Sequence, residues 1–213
     1  MPGSRSIGSS NSLMHKDPAM TTSRRAFLLG FLTMPLVPLA SAIASVQEAP
    51  LLPLTRICAD GDEPTPAREA GPFFKPNSPL KQDLYPDAPH GERITIAGFV
   101  LDDRCRPMPR SLVEIWQADD NGEYDRSGFR LRGHQFADEQ GRWWFNTVVP
   151  ALYPGRTRHF HFRVQRPDGD VLTTQLFFPG EPSNAGDRIF DEALLMTISQ
   201  TGDGQFARYD FVV

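Results

Sequence analysis

Cysteine, tyrosine and histidine are all scarce in this chain of 213 residues, at two, four and five. Two cysteines rule out a disulfide-dense scaffold, and the separation of Cys58 and Cys105 matches no metal-binding spacing. One disulfide between them and two separate thiols are both open readings. Positive charge is also lacking, since the formal net charge is −4. Nucleic acid is therefore not an expected partner. No internal repeat and no low-complexity segment is present. Long helical periodicity is missing too. Instead, 20 prolines and 17 glycines supply turns and favour many short strands. Apolar residues at 39% and charged residues at 23% suit one globular domain with a full core.

The N-terminal residues are set apart by their pattern. Arg24 and Arg25 precede an apolar stretch from Ala26 to about Leu39, too short to span a bilayer comfortably. Ala42-Ile43-Ala44 then offers a small-residue cleavage site. Together these predict an export signal of twin-arginine type over residues 1–44, with Met14 or Met20 as the expected start. An uncleaved anchor is the alternative. The protein is thus expected to be exported, periplasmic or extracellular, with no membrane contact beyond that signal. Residues 1–44 carry four cations and one acid, +3 formally; taking +3 from −4 leaves −7 for the rest.

Residues 45–70 are rich in Pro, Ala and acidic groups and read as an extended arm. From residue 71 to 213 the pattern predicts an all-β antiparallel sandwich with long connecting loops and little helix. Strands are expected over Arg93–Leu101, Leu112–Gln117, Trp143 onward, His159–Val164 and Leu172–Phe178. A last strand should place Ala207, Tyr209, Phe211 and Val213 on one face, and residues 188–199 are expected to hold a short helix. Arg132-Gly133-His134-Gln135 reads as a polar loop.

Chemistry concentrates in His159-Phe160-His161-Phe162-Arg163-Val164. Strand side chains alternate faces, so the two imidazoles point one way, about 7 Å apart along the strand, and the apolar residues point the other. That arrangement can present two metal ligands. A cupin would want a glutamate soon after, but the next acid is Asp168 and the next glutamate Glu181. A zinc hydrolase would want a third imidazole, for which His134 is the nearby candidate. Tyr124 follows a turn, and Tyr153 lies shortly before the histidines. Phenolate is a hard, strongly donating anion that suits iron(III) better than iron(II), zinc or magnesium. Each tyrosine read singly is an ordinary half-buried core phenol.

In order and spacing the chain resembles the intradiol ring-cleavage dioxygenases, which include protocatechuate 3,4-, catechol 1,2- and hydroxyquinol 1,2-dioxygenases. The residues that carry this resemblance are Glu69-Ala70-Gly71-Pro72-Phe73-Phe74, Ile96-Ala97-Gly98-Phe99-Val100-Leu101-Asp102, Leu112-Val113-Glu114-Ile115-Trp116-Gln117-Ala118-Asp119 with Gly122-Glu123-Tyr124, Tyr153-Pro154-Gly155-Arg156-Thr157-Arg158-His159-Phe160-His161-Phe162, and Leu172-Thr173-Thr174-Gln175-Leu176-Phe177-Phe178. The resemblance implies one iron(III) per chain on Tyr124, Tyr153, His159 and His161. Tyr153 would be the ligand that leaves and takes a proton. Arg156 would stabilise negative charge on bound substrate, and Gln175 would line the site. Substrates would be an aromatic diol and O₂. Glu114 and Trp116 read as structural, with Glu114 expected to pair with Arg163. Phe73, Phe74 and Tyr85 are the expected substrate wall. A homo-oligomer is left open. The competing readings are the zinc hydrolase and a non-catalytic transthyretin-like binding module.

Overall fold

Alternation of apolar and polar residues produces strands throughout the computed structural model, which describes residues 63–213. The expected export signal, residues 45–62 of the arm and Cys58 lie outside the described residues. The strands are β1 (Arg93–Leu101), β2 (Leu112–Trp116), β3 (Arg132–Phe136), β4 (Arg142–Val148), β5 (His159–Gln165), β6 (Val171–Phe177), β7 (Thr197–Thr201), β8 (Gly204–Arg208) and β9 (Phe211–Val212). One sheet runs β4-β1-β8-β7, with β9 also on β1, and the second runs β3-β2-β5-β6. The expected two-sheet all-β architecture is therefore present.

The core lies between the sheets. Ile94, Ile96, Trp143 and Phe145 from one sheet meet Val113, Ile115, Phe160, Phe162 and Val164 from the other, all buried. Phe162 is central, with ring centroids 5.3 Å from Trp143, 6.4 Å from Phe145 and 5.3 Å from Phe211. Gln117 ties the sheets with polar contacts: its amide nitrogen donates to the Val148 carbonyl at 2.9 Å and its oxygen accepts from Thr147 Oγ1 at 2.7 Å. A buried amide satisfied in this way adds specificity without leaving an orphaned polar group.

Several segments differ from expectation. The last strand is broken into β8 and β9, and both pair with β1 in parallel, so this sheet is mixed. The break falls at Tyr209 and Asp210, where the Asp210 carboxylate accepts the Phe99 N–H at 3.1 Å. A Cβ on Gly98 would lie 1.6 Å from the Tyr209 carbonyl oxygen, so only glycine admits that close approach. The expected helix within 188–199 is a single 3-10 turn at Glu192–Leu194, closed by the Asp191 side chain on the Ala193 N–H. It stops because the Met196 N–H pairs with the Phe177 carbonyl, drawing the chain onto the sheet edge. Arg132-Gly133-His134-Gln135 forms most of β3 and is no loop. Its inward positions, Gly133 and Gln135, lie opposite the core residues Ile115 and Val113 and are not apolar. Gln135 instead bonds the Trp144 backbone and Gln82.

The described end of the arm is fastened along β6. The Arg68 N–H donates to the Thr173 carbonyl at 2.8 Å, and Thr174 Oγ1 donates to the Pro66 carbonyl at 2.7 Å. Gln175 Nε2 donates to the Glu69 carbonyl at 2.9 Å. These bonds deliver Gly71 to Phe74 onto the outward face of β5 and β6.

Candidate metal centre

The face of β5 opposite the core carries His159, His161 and Arg163. Phe160, Phe162 and Val164 are fully buried on the other face, so core packing fixes the register that presents the imidazoles. The two Nε2 atoms stand 3.1 Å apart. His159 Nδ1 donates to the Thr157 carbonyl at 2.6 Å, since a carbonyl can only accept. The proton therefore sits on Nδ1 and leaves the Nε2 lone pair available. His161 stacks on Trp116, with centroids 5.0 Å apart and planes 5° apart. A Cβ on Gly71, whose φ is +69°, would lie 3.3 Å from His161 Cε1. Burial lowers the pKa of His159 to about 4, and nearby Arg156 reinforces the shift against the Thr157 carbonyl. Burial likewise holds His161 well below its ordinary range, helped by His159 and Arg156. Both rings are neutral at pH 7, the form that binds a metal.

Tyr124 reaches the same place from a loop. The Asp119 carboxylate accepts the N–H groups of Asn121 and Glu123, both at 2.9 Å, and closes the turn before it. Asp125 closes the next turn through Ser127, Gly128 and Arg130. Between them, the Tyr124 hydroxyl comes to 3.4 Å from His159 Nε2. Burial pushes its pKa up, and Arg156 and Arg132 offset part of that. Tyr153 sits in the turn closed by the Arg156 N–H on the Tyr153 carbonyl at 3.0 Å. Its ring lies edge-on to Tyr124 at 5.9 Å and to Phe73 at 5.4 Å. Tyr153 is half-exposed, whereas Tyr124 is buried.

Arg156 and Gln175 meet at the rim: one Arg156 Nη donates to Gln175 Oε1 at 2.6 Å. Gln175 is fully buried and directly across from His161 on β6. The Arg156 Nε donates to Asp187 at 2.8 Å. A cavity of about 470 Å³ is bounded by Tyr153, Arg156, Thr157, Ser183 and Asp187.

Phe73 stacks on Tyr124 at 4.3 Å, and Phe74 sets its edge to Trp116 at 5.1 Å. Tyr85 does not join them. Its hydroxyl donates to the Pro89 carbonyl, Arg93 covers its ring, and it packs on the main core, apart from the rings around His161 and Tyr124. His134 is also elsewhere. It pairs in register with Glu114, contacts Ser78 and Phe136, and offers no third imidazole. The expected pair of Glu114 and Arg163 is present at 3.4 Å.

Sequence reading had passed over Arg132 and Asp187. Arg132 is buried beside Tyr124 and donates to the Asp125 carbonyl at 3.0 Å. It was hidden because its segment read as a loop. Asp187 lies 31 residues from Arg156 in a stretch without periodicity, so no local signal marked it.

Among the described residues, no group of three or more His, Cys, Asp or Glu could hold a metal. The donors gathered here are two neutral imidazoles and the buried phenol of Tyr124, with the half-exposed ring of Tyr153 edge-on to Tyr124. Buried phenols ionise only against a strong positive charge, and a trivalent cation supplies it. The residues present fit iron(III).

The dioxygenase family model matches residues 69–212. The beta chain of protocatechuate 3,4-dioxygenase from Burkholderia cepacia is 36% identical over 135 residues, covering 53% of this chain and 57% of that one. Hydroxyquinol 1,2-dioxygenase from Rhizobium sp. (strain MTP-10005) is 29% identical over 167 residues, covering 65% and 56%. The chain thus spans little more than half the length of these curated relatives. The dioxygenase domain of a dioxygenase carbohydrate-binding protein fusion from the cellulolytic bacterium Streptomyces sp. SirexAA-E superposes with a TM-score of 0.69 at 47% identity, covering 71% of this chain and 98% of that one. The chain belongs to the intradiol ring-cleavage dioxygenase family.

Proposed function

We propose that this chain opens a catechol-type diol between its two hydroxylated carbons, incorporating both atoms of O₂ to give a muconate-type dicarboxylate. One observation carries the reading: two imidazole Nε2 atoms 3.1 Å apart with the Tyr124 hydroxyl 3.4 Å from one of them. The family is non-haem iron-dependent and acts on catechol-type substrates with O₂. One iron(III) per chain would be held by Tyr124, Tyr153, His159 and His161. When bound it supplies Lewis acidity, activating a chelated diol toward O₂ without an external reductant.

The chain's own residues do the rest. Tyr153, the more exposed phenol, would accept a diol proton on its oxygen. Tyr124, locked between two turns, stays. Arg156 places fixed positive charge beside the ring as negative charge develops there, where partial burial strengthens it. Gln175 holds one arm of that guanidinium. Phe73 and Phe74 cover the aromatic side and exclude water. The cavity beside Tyr153 and Arg156 falls in the usual small-molecule range of roughly 300–1,000 Å³.

The disulfide state of Cys105 supports export to an oxidising compartment. Cys58, the other cysteine of the sequence, is outside the described residues.

Oxygen uptake, iron content and the visible spectrum test the reading together. A reddish phenolate-to-iron band, one iron per chain, and uptake with catechol, protocatechuate or hydroxyquinol are expected. A colourless, iron-free protein with full turnover refutes it. Arg156→Ala should retain iron and lose on the order of 10²–10³ in rate, as removal of one preorganised charge-stabilising donor does. An unchanged rate would leave Arg156 with a structural role only.

A further inference from the structure

We infer that Asp187 is a positioning residue of this site: its carboxylate fixes the Arg156 guanidinium and, through the backbone of Thr157, the imidazole of His159. What Arg156 contributes rests on the dioxygenase reading; the placement itself does not.

Asp187 follows a 3-10 turn, Pro182–Gly186, and its side chain is 1% exposed, the most shielded acid of any ion pair among the described residues. A single oxygen, Oδ2, accepts from two consecutive residues, the Arg156 Nε and the Thr157 N–H, both at 2.8 Å. The other oxygen accepts the Ile189 N–H at 2.9 Å. Burial opposes ionisation, but the backbone donors and Arg156 outweigh it and hold the carboxyl below its ordinary range. The acid is therefore an anion at neutral pH, with two donors on one oxygen and one on the other.

The consequence for Arg156 is geometric. A guanidinium on a turn could rotate through many rotamers. Here Nε is held by Asp187 and one Nη by Gln175. Among the described residues the remaining Nη makes no protein hydrogen bond, so it is free to address a ligand in the cavity. A fixed charge needs no reorganisation during reaction, which is the source of its catalytic value.

The same carboxylate reaches the metal-binding strand. Thr157 is held at its N–H by Asp187, and at Oγ1 by Asn184 at 2.6 Å and Ser183 at 2.9 Å. Its carbonyl accepts from His159 Nδ1 at 2.6 Å. Partners of this kind set the tautomer and direction of a ligating imidazole. Residues 183–187 thus clamp the residue that orients His159.

Asp187→Asn tests this with little change of volume. An amide cannot replace the carboxylate, because its NH₂ group must face one of the three donors and the counter-charge is gone. The turnover number should fall by on the order of ten- to hundredfold, the worth of one charged hydrogen bond, with little change in KM. Combined with Arg156→Ala, it should cost more than Arg156→Ala alone, through His159, but less than the product of the two single losses, since the part of Asp187 that acts through Arg156 is not additive with it. Asp187→Asn, but not Arg156→Ala, should also release iron faster to a chelator.

A readout independent of turnover is the Arg156 Nε–H proton resonance, assigned by its absence in Arg156→Lys. It should be protected from solvent exchange in the wild type and unprotected in Asp187→Asn. Free exchange in the wild type overturns the inference even if the Asp187 variant fails to fold. A turnover number within twofold of wild type, or multiplicative losses in the double variant, overturns it as well. If the wild type consumes no O₂ with any diol, the reaction assignment is what fails, and the exchange and chelator measurements still decide the role of Asp187.

Discussion

Replacing Gly71 by alanine should loosen the iron through one contact. Two costs arise, and they can be separated. Gly71 has φ +69°, a left-handed conformation that costs an alanine about 1–2 kcal/mol. For a domain of this size each kcal/mol lowers Tm by roughly 2–4 °C. The second cost is local. The new methyl would sit 3.3 Å from His161 Cε1 and 3.8 Å from its Nε2, tighter than ordinary contact at the first. His161 has little room to retreat, because Trp116 stacks on its ring at 5.0 Å and His159 Nε2 is 3.1 Å from its own. The ring must shift by a few tenths of an ångström or the arm must move away. Gly180 is the control, with φ +74° and nothing within 4 Å of its added Cβ. Gly180→Ala therefore carries the backbone cost alone. The assay is iron release to a chelator, followed by loss of the visible band, beside thermal melts of both variants. The two should lose similar stability, and only Gly71→Ala should release iron faster, by about tenfold for a cost near 1.4 kcal/mol. Equal release rates would refute the claim that Gly71 is small because of His161.

The iron-free fold should weaken in mild acid. His159 titrates near 4 when folded, below its ordinary 6.5, so the unfolded chain binds more protons between those values. Its contribution is complete above the unfolded pKa and is lost as pH falls from about 6.5 toward 4, by about 3 kcal/mol. His161 acts in the same direction. Urea midpoints against pH should show this slope, and His159→Gln should flatten it; a flat wild-type profile contradicts the buried neutral imidazoles. Phe162→Ala should cost about 3–5 kcal/mol, since its ring is fully buried against Trp143, Phe145 and Phe211. Chemical denaturation measures that loss, and a cost under 1 kcal/mol would mean that Phe162 is not central to the core.

What could be read from the chain depended on how local the signal was. β5 was legible because its two faces differ in every residue, imidazole against phenyl. The pair of Glu114 and Arg163 was legible because facing charges on neighbouring strands leave few partners. β3 was missed because its inward positions, Gly133 and Gln135, carry no apolar pattern and are satisfied by distant backbone. The C-terminal break was missed because Gly98 and Tyr209 are far apart in sequence. Tyr85 was placed by aromatic character alone, and aromatic rings serve a core as readily as a site. Asp187 carried no local sign of its role, since the two partners that tie it to the site, Thr157 and Arg156, are 30 and 31 residues away.

The alternation in β5 has a consequence for anyone redesigning this centre. Chemistry and stability occupy alternate residues of one strand, so they can be varied separately. Positions 159 and 161 can be given other ligands while Phe160 and Phe162 keep the strand in register. A single-residue insertion ahead of them is a different matter. It would exchange the faces, bury the imidazoles among phenyl rings and turn phenylalanines toward the proposed iron site. The outward positions of the strand therefore accept substitution and the strand accepts no insertion, which makes it a scaffold for varied site chemistry and a poor place to lengthen the chain.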